Sequence, residues 1–403
     1  RLKRDTGVLE RGLGSVSGEG VDDRYVYDGR GRQVVASNAH VTRSVEYDAL
    51  DRVQAVSDPF FGRAQLVYDA DGRVAQAVYP DGGPEGASVG AGFSEGRIVT
   101  YHYNGRAQVT AIVDTEPGLG VWQLSYDAIG RPVERSDPFG AVRRTTYDDR
   151  GFVGRVDIVG EAYSHAYTYS GHDARGNPGS IVFDQDGVPE TTTITYDALS
   201  RIKTIAYPAS TSPEVFTYDR AGNRQTHEKD GFVYSYEYPA TGAFDQLQRI
   251  ARTPVGGGAS EDVHTYQYDL EGRRLTHKPL EGPAESYGYD ALGRLVHWDN
   301  AAAESLDLAY DALGTRFSRM DTGGSTARYF GQWAEHREGI NRRLIHGPGI
   351  DAILAEVTSA SGTPAQVWSL GRDGSGHVTH VDAVDTGGAP TASTLRRYSA
   401  FGV

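Results

Sequence analysis

The chain has no cysteine and a single methionine among 403 residues. Disulfides, thiolate metal sites and a cysteine nucleophile are therefore excluded, while the compartment stays open. It lacks any apolar run of the roughly 18 residues that a membrane-spanning helix needs. It also lacks a basic run: 40 Lys and Arg stand against 54 Asp and Glu, a net charge of −14. That balance argues against a polyanion-binding surface and so against nucleic acid or anionic membrane as partners. The first residues, Arg1-Leu2-Lys3-Arg4, carry neither an initiator Met nor the apolar stretch of a signal peptide. We read the chain as a piece of a longer polypeptide. No Gly-Lys-Ser/Thr phosphate loop is present.

What the chain has is turn and strand chemistry, with 51 Gly, 17 Pro and 25 Tyr against 12 Phe. Length alone predicts two or three domains at ~150 residues each, but an internal repeat overrides that expectation. Tyr-Asp recurs as Tyr27-Asp28, Tyr47-Asp48, Tyr68-Asp69, Tyr126-Asp127, Tyr147-Asp148, Tyr196-Asp197, Tyr218-Asp219, Tyr268-Asp269, Tyr289-Asp290 and Tyr310-Asp311. Half of the copies continue x-x-Gly-Arg, as at Gly130-Arg131, Gly272-Arg273 and Gly293-Arg294; Tyr103-Asn104-Gly105-Arg106 is a degenerate copy. Neighbouring tyrosines are commonly 20 to 22 residues apart.

Each copy reads as a β-hairpin. Asp suits the first position of a type I turn, and Gly three residues on supplies the positive φ that follows it. A second turn, clearest at Asp58-Pro59-Phe60 and Asp137-Pro138-Phe139-Gly140, closes the unit and leaves about six residues per strand. Tyrosines spaced i, i+2 share a strand face, which predicts ladders of tyrosine rings whose hydroxyls meet polar groups or water. The arginine after the turn glycine is placed to pair with Asp of its own or the next hairpin, favouring register more than stability. Gly-rich interruptions at Pro80 to Gly96 and Pro254 to Ser260, and shorter ones at Asp184 to Pro189, Asp321 to Ser325 and Asp385 to Pro390, read as long surface loops. One continuous all-β unit is expected. A sheet of twenty or so short strands is expected to curl, since flat sheets beyond ~10 strands are unusual and curling covers exposed edges.

Tyr-Asp-x-x-Gly-Arg at this period resembles the YD repeats of bacterial Rhs and wall-associated proteins, the C component of insecticidal toxin complexes, and animal teneurins. The resemblance runs from about Tyr25 to Arg316. A tail extends it: His346-Gly347-Pro348-Gly349-Ile350-Asp351, then 372–383, then Arg397-Tyr398-Ser399-Ala400-Phe401-Gly402, similar in order to the segments before the Rhs-associated core. The resemblance implies antiparallel hairpin repeats that form a spiralling, curved sheet or hollow shell around a C-terminal toxin domain of the same polypeptide. It implies lead-in strands over 1–24, the YD-repeat shell over 25–328 and a last shell segment over 329–403. It also implies a secretion apparatus or companion shell subunit as further partner, and a secreted location or loading onto a secretion machine. In the family an Asp-Pro-x-Gly segment follows, whose aspartates release the cargo by self-cleavage. This chain reaches Val403 before it, and Asp58-Pro59 and Asp137-Pro138 are expected to be ordinary inter-hairpin turns.

No residue is assigned as catalytic, cofactor-binding or metal-ligating. The adjacent acids Asp22-Asp23, Asp148-Asp149 and Glu261-Asp262 face opposite ways in a strand and are expected to be solvated surface. Asp69-x-Asp71-Gly72 and Asp184-x-Asp186-Gly187 resemble the start of a calcium loop but lack its later ligands, and turn chemistry accounts for them. His377 and His380 fall on opposite strand faces, against a zinc pair. The expected function is a non-enzymatic shell segment of a polymorphic toxin. The alternative is an extracellular adhesion or glycan-binding array, with an enzyme such as a glycosidase the remaining case.

Overall fold

The computed structural model describes residues 3–5, 13–18, 21–80, 97–115, 119–160, 164–239, 245–331, 334–346, 353–360, 366–372, 378–384 and 390–395. Thirty-five strands form one antiparallel sheet, with no helix among the described residues. Each strand pairs with its neighbours in the chain and the order never crosses over, from Lys3–Asp5 on Leu13–Gly18 to Val378–Val384 on Pro390–Leu395. The sheet is a meander, and its first and last strands do not pair with each other.

The local cause is the repeat. In the turn after Tyr126, the amide of Gly130 donates to the carbonyl of Asp127 (3.0 Å), and the amide of Asp127 to that of Arg131 (2.9 Å). Gly130, Gly272 and Gly293 take φ of 94°, 82° and 78°, where a side chain would be strained. The ladder slips by one residue immediately before the tyrosine of all ten Tyr-Asp copies. A type I turn, a left-handed residue and a one-residue bulge form a three-part hairpin connection. Bulges strengthen local twist, and because these ten lie along the same edge, the twist adds up to a coil.

The coil returns onto itself. Segments from the last third of the chain, the turn at Ala312 and the strand Ile340–His346 among them, seat against strands 229 to 287 residues earlier, as between Tyr25 and Ala312 and between Asp114 and Arg343. The largest buried cluster spans that return: Ala77, Val99, Ile112, Trp122 and Phe139 pack with Ile345, Leu354 and Val357. A second joins Phe61 and Ala64 to Phe330 and Ala334. A third, Val156, Ile158 and Tyr169, lies within consecutive strands.

Three expectations need correction. Asp184 to Pro189 is a tight hairpin, since strands Ser180–Gln185 and Val188–Tyr196 leave only Asp186 and Gly187 between them. Both take positive φ, as a two-residue hairpin turn demands. Asp321 to Ser325 is likewise a short turn, between Arg316–Asp321 and Thr326–Phe330. Asp23 is buried, not solvated, because the returning turn covers it. The interruptions at 81–96 and 385–389, His377, and the tail segments 347–352, 373–377 and 396–402 lie outside the described residues; His380 lies in Val378–Val384.

Candidate functional site

Two arrangements hold the coil: a lock between consecutive repeats and a seam between successive turns of the sheet.

The lock begins with the repeat aspartate. Asp28 Oδ1 accepts the amides of Arg30 and Arg32 at 2.9 and 3.0 Å, and its Oδ2 accepts Arg32 Nε at 2.7 Å. The same geometry recurs at Asp48 with Arg52, Asp69 with Arg73, Asp127 with Arg131, Asp197 with Arg201, Asp269 with Arg273 and Asp290 with Arg294. At Asp219 the partner is Asn223, at Asp148 the amide of Phe152, and at Asp311 the amide of Thr315. The Arg32 side chain holds the Asp28 carboxyl below its usual range, and Arg201 does the same for Asp197.

The guanidinium then reaches the next repeat. Arg32 lies over the Tyr47 ring at 4.8 Å, Arg52 over Tyr68 at 4.2 Å, Arg131 over Tyr147 at 4.2 Å, Arg201 over Tyr218 at 4.6 Å, Arg273 over Tyr289 at 5.1 Å and Arg294 over Tyr310 at 4.9 Å. That tyrosine hydroxyl donates back to the carbonyl of the residue after the arginine: Tyr47 to Gln33, Tyr68 to Val53, Tyr147 to Pro132, Tyr218 to Ile202, Tyr289 to Arg274 and Tyr310 to Leu295, at 2.7–2.9 Å. Tyr126, Tyr196 and Tyr268 make the same bond to Val109, Pro178 and Leu247. The repeat tyrosines thus form a ladder interleaved with arginines, where the sequence predicts tyrosine rings alone. Burial pushes the Tyr68, Tyr218 and Tyr310 hydroxyls up.

The seam combines Asp58 and Asp311, read from the sequence as turn aspartates, with Arg43, Asn38, Asp114 and Arg343, which the sequence did not single out. Arg43, on strand Thr42–Tyr47, donates to Asp58 Oδ2 at 3.0 Å, to Asp311, and to the carbonyl of Tyr329 at 2.8 Å, with its guanidinium 4.9 Å from the Phe330 ring. These side chains are almost wholly buried. Burial raises the Asp311 carboxyl, with Arg43 acting against that rise. Asn38 donates to the Tyr310 carbonyl (2.8 Å) and the Tyr25 hydroxyl to that of Ala312 (2.9 Å). Further on, Arg343 grips Asp114 with two bonds of 2.6 and 3.2 Å beneath Tyr79, whose hydroxyl donates to the Leu344 carbonyl at 2.7 Å. Neighbouring Tyr101 is pushed up to about 12, chiefly by burial.

Titratable side chains also meet across the strands at 261–289. His264 Nδ1 and His277 Nε2 lie at hydrogen-bond distance, 2.9 Å, and His277 Nδ1 meets Glu285 at 2.9 Å. Burial lowers His264, and the neighbouring His277 adds to the effect. Burial also lowers His227, which is bonded to Glu214. Among the described residues no group of three His, Asp or Glu side chains could hold a metal ion. Asp71 pairs with Arg73, and Asp184 accepts the amide of Gly187. Glu261 and Asp262 pair with Arg252 and Arg249 on the surface.

The Teneurin YD-shell family model matches residues 171–342, and the RHS repeat model matches residues 47–84. The chain is 24% identical over 307 residues to double-stranded DNA deaminase toxin A of Burkholderia cenocepacia strain H111, covering 74% of this chain and 17% of that protein. It is 25% identical over 144 residues to tRNA nuclease WapA of Bacillus subtilis strain 168, covering 36% of this chain and 5% of that protein. It therefore spans only a small part of the curated relatives it matches. Among solved structures, the Tc holotoxin pore of Photorhabdus luminescens is similar over 95% of this chain and 22% of that one, at 13% identity and a TM-score of 0.45. TcdB2-TccC3 without its hypervariable C-terminal region is similar over 96% of this chain and 24% of that one, at 12% identity and a TM-score of 0.43.

Proposed function

Because the chain belongs to the YD-repeat and Rhs-repeat family, we propose that it is a non-enzymatic wall segment of a polymorphic toxin, enclosing a toxin domain of the same polypeptide. The observation that carries this reading is the seam. Late parts of the sheet meet its own early strands through the buried Arg43–Asp311 and Arg343–Asp114 pairs, and that return supports a wall curved around a space. Relatives named as toxins fit that role. The repeat tyrosines are committed to arginines and backbone carbonyls, which weighs against an array of rings waiting for sugars. The wall takes no cofactor or metal on this reading. Its parts are the lead-in over 1–24, the repeats over 25–328 and the segment 329–403, and its parent is secreted or loaded onto a secretion machine for competition between bacteria.

Protease protection tests enclosure. In the full-length parent the toxin domain is expected to resist added protease until the repeats are denatured. Digestion as fast as that of free toxin, with the repeats still folded, would overturn it. Absence of catalysis is tested by the mass of the purified chain over time, where a single internal cut abolished by one Asp→Asn change would show a protease.

A further inference from the structure

Strands Arg274–Pro279 and Glu285–Tyr289 are joined by a short ladder. They pair at two positions, Thr276 with Ser286 and His277 with Glu285, while the ladders on either side pair at five. A chain of polar side chains crosses this joint on one face of the sheet. Tyr266 stands opposite His277 and His277 opposite Glu285, with His264 and Tyr287 two residues from them along their strands. His277 is the link. Its Nδ1 lies 2.9 Å from Glu285 and its Nε2 2.9 Å from His264 Nδ1, with the Tyr266 ring stacked on it at 4.8 Å. The Tyr287 hydroxyl donates to the same glutamate.

Two ring nitrogens at that distance form a hydrogen bond only if one of them accepts, so the arrangement admits one imidazolium and not two. A first proton fits, because His277 as a cation donates to Glu285 and to a neutral His264. A second proton, on His264, sets N–H against N–H, and the rings must part. Among the described residues, the groups that face the pair leave this second charge unneutralised. Arg274, whose guanidinium lies over Tyr266 and Tyr287, is itself a cation, and Glu261 is paired with Arg252. On the preceding strand Ile250 stands opposite His264, with Tyr236 opposite Ile250 in turn. On the following strand uncharged Trp298 and Asn300 stand opposite Tyr287 and Glu285, and Lys278 pairs with Thr265 on the other face. Burial and the neighbouring His277 hold the His264 ring below its ordinary range. Burial works to raise the Glu285 carboxyl, but Tyr287, His277 and Arg274 hold it below its ordinary range, so it stays an anion while the histidines titrate. We propose that this joint is an acid-sensitive hinge: on acidification the His264–His277–Glu285 chain breaks, and the two-position ladder opens ahead of the rest of the sheet. The hinge is closed above the ordinary histidine range and loosens as pH falls below it. It does not depend on whether the wall encloses cargo.

Amide hydrogen exchange of the whole purified chain, read by mass spectrometry at about pH 7.5 and about pH 5.5, tests this. The reference is the hairpin Val142–Tyr147 with Val153–Val159, which pairs at six positions. After correction for the intrinsic effect of pH on exchange, opening across 274–289 is expected to rise at least about tenfold at the lower pH, with the reference hairpin unchanged. In His264→Gln, whose amide can still bond His277 but takes no proton, that rise is expected to vanish. Circular dichroism checks that the variant folds, and the wild-type comparison of the two segments decides the matter even if it does not. No rise across 274–289 overturns the proposal, and so does an equal rise in the reference hairpin, which would mark a loosening of the whole fold. A folded His264→Gln that keeps the full rise overturns it too.

Discussion

At residue 107 an alanine stands where most repeats have glycine, with φ of 61°. The sequence invites aligning Gly105-Arg106 with the motif's Gly-Arg, but the turn bond runs from the amide of Ala107 to Asn104, and Gln108 takes the arginine's place. The left-handed conformation costs a residue with a side chain about 1–2 kcal/mol, while glycine's freedom in the unfolded chain returns about 0.4–1 kcal/mol of that. Ala107→Gly is therefore expected to stabilise the fold by about 0.5–1 kcal/mol, read by denaturant unfolding. Tyr218→Phe removes the bond from a half-buried hydroxyl to the Ile202 carbonyl, and a loss of about 1 kcal/mol is expected. Two pH windows follow from the shifted groups. Asp28 and Asp197 are lowered in the fold, so their contribution is full above the unfolded value of 3.8 and lost as pH falls through their folded values. His227 and His264 are also lowered, but as cations they oppose the fold: the unfolded chain takes up protons first, and stability declines as pH drops below 6.5. A thermal unfolding series against pH should show both declines, and His264→Gln should lessen the upper one. The aspartate turn was legible because all its partners lie within four residues. Arginine stacking on the next tyrosine was not, since two rings' worth of spacing says nothing about what lies between.

Among the elements, the strand Thr42–Tyr47 shows where sequence reasoning ends. Arg43 alternates with its neighbours like any polar strand residue, and its acceptor Asp311 is 268 positions away. Nothing local marks it, and only a coil that brings a late turn over an early edge explains its burial. Removing one partner of a buried pair leaves the other charge uncompensated, at about 3–5 kcal/mol. Arg43→Ala is expected to cost that much. Arg63→Ala, which breaks an exposed pair with Glu46, is expected to cost under about 1 kcal/mol. Equal effects in urea unfolding would show that the seam carries no special share of stability. The hairpin at Asp184–Gly187 is the opposite case: its Asp-Gly turn signal was present in the sequence, but the cluster around it reads as a loop by composition.

For the molecule as a whole, period and turn chemistry made the all-β meander legible, and the number of strands per circuit was not. Circuit length depends on small twists summed over some two dozen hairpin strands, which no single repeat encodes. The seam cluster offers a probe. Trp122 is buried against Phe139 within the cluster that includes Ile345 and Leu354. Leu354→Ala should cost about 2–5 kcal/mol and shift Trp122 emission to longer wavelength as water reaches the ring. In refolding, hairpins close between near neighbours and should form first, while seam contacts at separations above 200 residues form later. Tryptophan emission should therefore lag the far-ultraviolet strand signal.

The uncrossed strand order has a mechanical consequence. A pull on one end of a meander loads only the outermost ladder, whose hydrogen bonds break one after another at low force, as in unzipping. The next hairpin bears no load until the first has gone. Resistance would jump wherever the advancing front meets the seam, because Arg343–Asp114 and Arg43–Asp311 join strands from different circuits and must rupture together with the ladder. Drawn from its C-terminal end, the wall should yield in steps of one hairpin, punctuated by two firm catches. A machine that threads polypeptides could dismantle it without first melting the whole.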